Sequence, residues 1–159
     1  MKKITLLMAA LAFSFYAMAD GMSGTYKVGT GETDPNFTSL KAACDALNTN
    51  GVAGDVILEI TSDLTENVNV GLGVNTNGYS ITIRPDQDAD RTITFTQTSD
   101  NKSPSGHFVI GYVGSGLTSS WSDDNTIATN NVTIDGYAVG GSTRRLKFTQ
   151  LKSIHILLI

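Results

Sequence analysis

The sequence predicts an all-β fold, a solenoid of parallel β-helix type with one capping helix ahead of it. Three observations carry that prediction. From residue 55 onward, apolar residues alternate with polar ones in short runs, the period of two that marks strands with one buried face. One central apolar residue from successive runs gives Ile57, Ile81, Phe108, Val132 and Ile156, at steps of 24, 27, 24 and 24. A recurrence in this range marks a unit that cannot bury its own apolar face and must stack on its neighbours. Finally, 16 glycines against 3 prolines suit many short strands joined by turns. The competing fold is an antiparallel sandwich, which shares the spacing of strands but requires tight hairpins. Asn77-Gly78 is the best hairpin turn available, and no clear strand precedes it. The regular step decides for the solenoid.

The first residues stand apart from this pattern. Lys2 and Lys3 precede an apolar run over 4–15, too short for a typical membrane span, and Ala17-Met18-Ala19 has the small-x-small form of a signal peptidase site. The sequence therefore predicts a signal peptide over 1–19, a mature start at Asp20 and no membrane span after cleavage. The expected address is secreted or cell-surface, and the short double-lysine start is of the kind found in Gram-negative-type bacteria. Losing the two lysines shifts the formal charge from -4 to -6. Such a chain is a poor partner for nucleic acid, for acidic membranes or for polyanionic glycans. A single cysteine, Cys44, excludes an internal disulfide.

Residues 20–54 are expected to hold a strand over 24–28 and the capping helix. Phe37, Leu40, Cys44 and Leu47 draw one apolar stripe at spacings of three, four and three. Thr38 is the expected N-cap, with Phe37 as a hydrophobic staple, and Asp34-Pro35 offers an alternative start one turn earlier. Gly51 and Gly54 end the helix. Cys44 lies in the stripe and reads as a buried small side chain, not as a reactive thiol. Residues 55–150 form the predicted coils, with strands expected over 56–60, 67–70, 80–84, 92–96, 107–113, 131–135, 145–149 and 153–159. The stretch over 131–148 is the most informative. Its two alternating runs flank Asp135-Gly136 and Gly140-Gly141, so the loop either closes a hairpin or forms one corner of a repeating coil.

Three segments resemble a known family. Residues 23–29 (Ser-Gly-Thr-Tyr-Lys-Val-Gly), with 37–40, 46–48 and 51–54 after them, are the first. Residues 64–70 (Leu-Thr-Glu-Asn-Val-Asn-Val) are the second. The third joins 132–136 (Val-Thr-Ile-Asp-Gly) to 140–144 (Gly-Gly-Ser-Thr-Arg). Together they resemble the N-terminal repeat region of large exported bacterial surface proteins of the pectate-lyase-like type. That resemblance implies a right-handed parallel β-helix, a scaffold that serves adhesins, surface proteins and polysaccharide-active enzymes alike. It fades after Thr149, where residues 151–159 form an atypical apolar tail. The sequence is therefore expected to be a β-helix fragment with an open end that favours self-association.

Few residues are candidates for chemistry. Asp86, Asp88 and Asp90 alternate as in the first half of a calcium loop, but Arg91 stands where glycine is needed and Gln97 where glutamate is needed. The adopted reading is a solvated acidic turn, with calcium the one ion considered and no cofactor expected. Trp121 with Asp123 and Asp124 is the candidate ligand site: a Trp face can stack on a sugar ring beside carboxylates. Within the resembling family, lyases abstract a proton with a basic residue, and hydrolases use paired carboxylates. Arg84, Arg144 and Arg145 are available besides Arg91 but form no recognisable cluster. Asp135 reads as a turn residue, and His107 and His155 are isolated. Nucleophile elbow, Walker loop and dinucleotide fingerprint are all missing. The expected function is a non-catalytic extracellular module contacting a glycan or a cell-surface partner. The alternative is the N-terminal part of a polysaccharide lyase or glycoside hydrolase whose active site lies in downstream coils.

Overall fold

A computed structural model of the chain describes residues 21–96, 107–111, 129–150 and 156–158. The expected leader over 1–19, the mature start at Asp20 and most of the tail over 151–159 lie outside the described residues. Among the described residues, no helix is long and apolar enough to cross a membrane.

Among the described residues the chain is mostly β, with one helix. Strand β1 (Met22–Val28) leads to helix α1 (Leu40–Asn50). Strands β2 (Val52–Ile60), β3 (Leu64–Glu66) and β4 (Val70–Leu72) follow. Next come β5 (Ile81–Pro85), β6 (Arg91–Phe95) and β7 (Phe108–Ile110). The last three are β8 (Val132–Ile134), β9 (Leu146–Gln150) and β10 (Ile156–Leu158). They pair into three sheets with orders β1-β2-β5-β8, β3-β6-β9 and β10-β7-β4. Each consecutive triplet from β2 onward thus gives one strand to each sheet, making three tiers.

Every ladder between these strands is parallel. That removes the antiparallel sandwich. It also settles the loop after Asp135: β8 pairs with β5 and β9 with β6, so the loop turns a corner between sheets and closes no hairpin. Asn77 and Gly78 do adopt positive φ (52° and 90°), and Tyr79 N–H closes the turn on Thr76 O at 2.9 Å. That turn joins β4 to β5 in different sheets.

The stacking step differs from the one expected. Val56 pairs with Ile81 and Ile81 with Val132, steps of 25 and 51 residues. Phe108 and Ile156 belong to another sheet, where Val70, Phe108 and Ile156 are in register. Ile57 faces outward, while Val56, Leu58 and Ile60 fill the core. The near-constant step of 24 therefore mixed two sheets and one outward residue, because corner loops of very different length separate the strands. In place of the single strand expected over 67–70, a corner at 67–69 separates two short strands, β3 and β4. Glu66, a charged side chain turned into the core, hides β3 from a pattern of apolar alternation.

Helix α1 starts later than expected. Ser39, not Thr38 or Asp34-Pro35, is the N-cap, its Oγ accepting from Ala42 N–H at 3.0 Å. Gly51, at φ 73°, ends it with its N–H on Leu47 O. Of the expected stripe, Leu40, Cys44 and Leu47 are buried and are joined by Ala43, whereas half-buried Phe37 lies ahead of the helix. The four buried residues join one core with Leu58, Ile60, Ile81, Ile83, Ile93, Phe95 and Phe108. Burial pushes the Cys44 thiol far above its ordinary value, with the nearby Glu66 and Asp45 charges adding to the effect, so the group stays protonated.

Helix α1 lies over the first tier, against β4 and to a lesser extent β1 and β3. There it satisfies groups that a further strand would otherwise have met. Asn48 Nδ2 donates to Gly71 O (2.9 Å), and Gly73 N–H donates to Asn48 Oδ1 (2.8 Å). One side-chain amide thus takes the carbonyl before Leu72 and the N–H after it, the pair that a parallel neighbour takes. On β3, Glu66 Oε1 accepts from Leu40 N–H at 2.6 Å. The C-terminal end of the β1 edge is covered by residues 36–37: Phe37 N–H reaches Lys27 O, Gly29 N–H reaches Phe37 O, and Lys27 N–H reaches Asn36 Oδ1.

Candidate functional site

The acidic turn between β5 and β6 holds Asp86, Asp88 and Asp90, and arginines engage all three. Arg91 Nε donates to Asp86 Oδ1 at 2.9 Å and to Ile60 O at 3.2 Å. Arg145, which enters β9 in the next tier, donates from Nε to Asp88 Oδ1 (2.9 Å) and from Nη1 to Asp90 Oδ1 (3.1 Å). Its backbone carbonyl accepts from Arg91 N–H at 2.8 Å. Hydrogen bonds to Asp88, then to Asp90, raise the pKa of Arg145 further above its ordinary value. The alternating carboxylates are therefore divided between two guanidinium groups and clasp one tier to the next. A calcium ion would have to displace those arginines to gather the three.

The remaining candidates are dispersed. Asp135 Oδ1 accepts from Tyr137 N–H at 2.9 Å, the Asx turn its position implies. Arg144 lies 5.9 Å from the Tyr137 ring centroid. Arg84 pairs with Glu59 at 2.8 Å across neighbouring strands of the largest sheet. His107 is buried just ahead of β7, with Nε2 against Gln150 Nε2 and its ring 5.9 Å from Phe95. Trp121, Asp123 and Asp124, with Gln97 and His155, lie outside the described residues.

A concave site stands elsewhere, beside the helix-covered end. A groove of about 420 Å³ opens between β1, α1 and residues 34–37. Met22 and Ala46 give it an apolar floor. Tyr26 and Phe37, both half-buried, form one wall with ring centroids 5.7 Å apart and planes tilted by 44°. Asp34 and Asn50, both exposed, supply hydrogen-bonding groups at its rim. Among the described residues, Asp34 makes no ion pair. The volume falls within the usual range of small-molecule sites, roughly 300–1,000 Å³.

Sequence reasoning assigned Phe37 to the staple and Asp34 to an alternative helix start, and gave Tyr26 and Asn50 no binding role. The one available signal was an aromatic residue on each side of a turn-rich loop, and that signal is weak without knowing that Val28 and Phe37 are bridged. No family model, curated protein or solved structure matches the chain.

Proposed function

We propose that the chain is a non-catalytic extracellular or cell-surface module, a right-handed parallel β-helix that contacts a glycan through the groove beside its capping helix. Three parallel sheets that each receive one strand per tier are the arrangement a β-helix requires, and the short corners at 61–63, 67–69 and 86–90 fit its turns. The functional reading rests on the groove. Two tilted aromatic rings offer apolar faces to the C–H faces of a sugar, while a carboxylate and an amide at the rim suit its hydroxyls. The acidic balance of the chain favours a neutral sugar over a polyanion. Export through residues 1–19 belongs to the same reading, and secreted material would then begin at Asp20.

Binding of the purified chain to a panel of neutral and acidic glycans tests this reading. The expected result is retention of neutral glycans, lost on Tyr26→Ala and weakened by Asn50→Ala, with circular dichroism unchanged. Retention undiminished by both substitutions, or no retention by any neutral glycan, would overturn it.

A further inference from the structure

The groove beside α1 carries a charge that its surroundings leave unmatched. Among the described residues that line it, Asp34 is the one charged residue. Its carboxylate is exposed and makes no hydrogen bond or ion pair among the described residues. Lys27 and Lys41, on the flanking elements, do not line the groove. Lys27 follows Tyr26 and takes the other face of β1, and Lys41 Nζ lies 2.6 Å from Asp45 Oδ2. The loop that presents Asp34 is tied on both sides. Thr61 Oγ1 donates to Glu32 Oε1 at 3.0 Å, Asn36 N–H donates to Thr33 O at 2.8 Å, and Lys27 N–H donates to Asn36 Oδ1 at 2.8 Å. A carboxylate carried on a fastened loop beside two aromatic rings loses little freedom when a ligand binds.

We infer that the groove selects an amino sugar, its protonated amine seated between the Asp34 carboxylate and the rings of Tyr26 and Phe37. The inference rests on the glycan reading of the groove and names the class of sugar. Both kinds of group favour a cation. A carboxylate accepts a charge-assisted hydrogen bond, about twice as strong as one between neutral groups. The face of an aromatic ring carries negative potential and attracts an ammonium within about 6 Å of its centroid. The two centroids lie 5.7 Å apart, so a single ammonium can approach both. Met22, Pro35 and Ala46 add apolar surface for the C–H groups of the sugar ring, and the Asn50 amide can serve a hydroxyl. A neutral sugar would leave the charge of Asp34 unanswered. An acidic sugar would be repelled by it, with no cationic group among the described lining residues to compensate.

Calorimetric titration of the purified chain with glucosamine and N-acetylglucosamine oligosaccharides of equal length, in weakly acidic buffer, tests it. The two ligands differ in whether the nitrogen carries a charge or an acetyl group. The glucosamine form should bind about tenfold more tightly. Asp34→Asn, at an exposed position without hydrogen bonds, should bring the two within about twofold of each other and leave the N-acetylated form bound as before. Asp90→Asn removes the same charge at the corner between β5 and β6, outside the groove, and should keep the preference. Phe37→Leu keeps apolar volume, removes one ring and should reduce the preference about threefold. Equal affinity for the two oligosaccharides would overturn the inference and leave the glycan reading standing. So would a preference that survives Asp34→Asn, or one that Asp90→Asn abolishes equally, the mark of attraction by net charge alone. Binding of neither oligosaccharide would overturn it as well, and if every neutral glycan were also left unbound the glycan reading would fall with it.

Discussion

The two ends of the strand stack face the same physical problem and meet it differently. At the first tier, residues 36–37 bond the last residues of β1, the Asn48 amide bonds the edge of β4, and the Glu66 side chain ties β3 to the start of the helix. The apolar column beneath is sealed by Leu40, Ala43, Cys44 and Leu47. At the third tier, the last among the described residues, the same column holds half-buried Val132, Leu146 and Phe148. Covering a stack therefore takes two things, apolar area for the core and polar atoms for the edges, and one amphipathic helix supplies both when its polar residues meet the strand edges. The contrast predicts that equal chemical insults at the two ends have unequal effects.

The largest effect belongs to Leu40→Asp. Removing a buried leucine side chain costs roughly 2–5 kcal/mol, and an unpaired carboxylate in its place adds a further penalty. The closed end should fail, with loss of soluble folded protein. Val132→Asp, at the open end, leaves its charge within reach of water and should lower the melting temperature by much less. Equal losses for the two variants would erase the distinction between the ends.

Asn48→Ala probes the polar half of the cover. It strips both partners from the edge of β4 and leaves the Gly71 carbonyl and Gly73 N–H to be solvated or orphaned, at a cost of about 1–3 kcal/mol. Chemical denaturation should show a lower midpoint with an unchanged slope, since the same surface is exposed on unfolding. An unaltered midpoint would mean that the amide merely decorates the edge.

What the sequence disclosed follows the same division. The helix stripe was readable because Leu40, Cys44 and Leu47 recur at helical spacing, and β2, β5 and β6 were readable because Val56, Ile83 and Ile93 alternate with polar residues. Strand register was not. Corners range from three residues, at 61–63, to the long stretch between β7 and β8, so spacing along the chain misassigned Phe108 and Ile156 to the sheet of Ile81. The covering devices were equally hidden. Nothing in the local pattern marks Asn48 or Glu66 for this task, because their partners lie 23 to 26 residues away. The groove joins Tyr26 to Phe37 only after the chain has turned back on β1.

Glu66 gives a smaller, pH-dependent effect at the closed end. Burial raises its pKa above the ordinary 4.5, partly offset by hydrogen bonds from the Leu40 and Lys41 N–H groups. A carboxyl that binds its proton more tightly when folded stabilises the fold fully below the unfolded value. That contribution is lost as pH rises through the raised folded value. Glu66→Gln keeps an oxygen for Leu40 N–H and removes the titration. The stability of the original chain should therefore fall relative to Glu66→Gln as pH rises from about 4.5, and the two curves should run parallel once the carboxyl is ionised. Parallel curves across the whole range would show that Glu66 titrates alike in the folded and unfolded chain.

The smallest effect is expected at the acidic corner, which belongs to neither end. Asp86, Asp88 and Asp90 look like a cation site in sequence, and in the fold their oxygens meet Arg91 and Arg145. Calcium binding there would need both guanidinium groups to withdraw, breaking the clasp between the second and third tiers. A ligand that binds the folded chain raises its melting temperature by mass action, about 2.7 kcal/mol of stabilisation at a hundred times its dissociation constant. Saturating calcium should give no such rise. Asp88→Asn should bring only a small loss, because Arg145 keeps Asp90 and exposed ion pairs contribute about 0–1 kcal/mol. A calcium-dependent rise in melting temperature, abolished by Asp88→Asn, would show instead that the carboxylates converge on a cation and that the arginines yield to it.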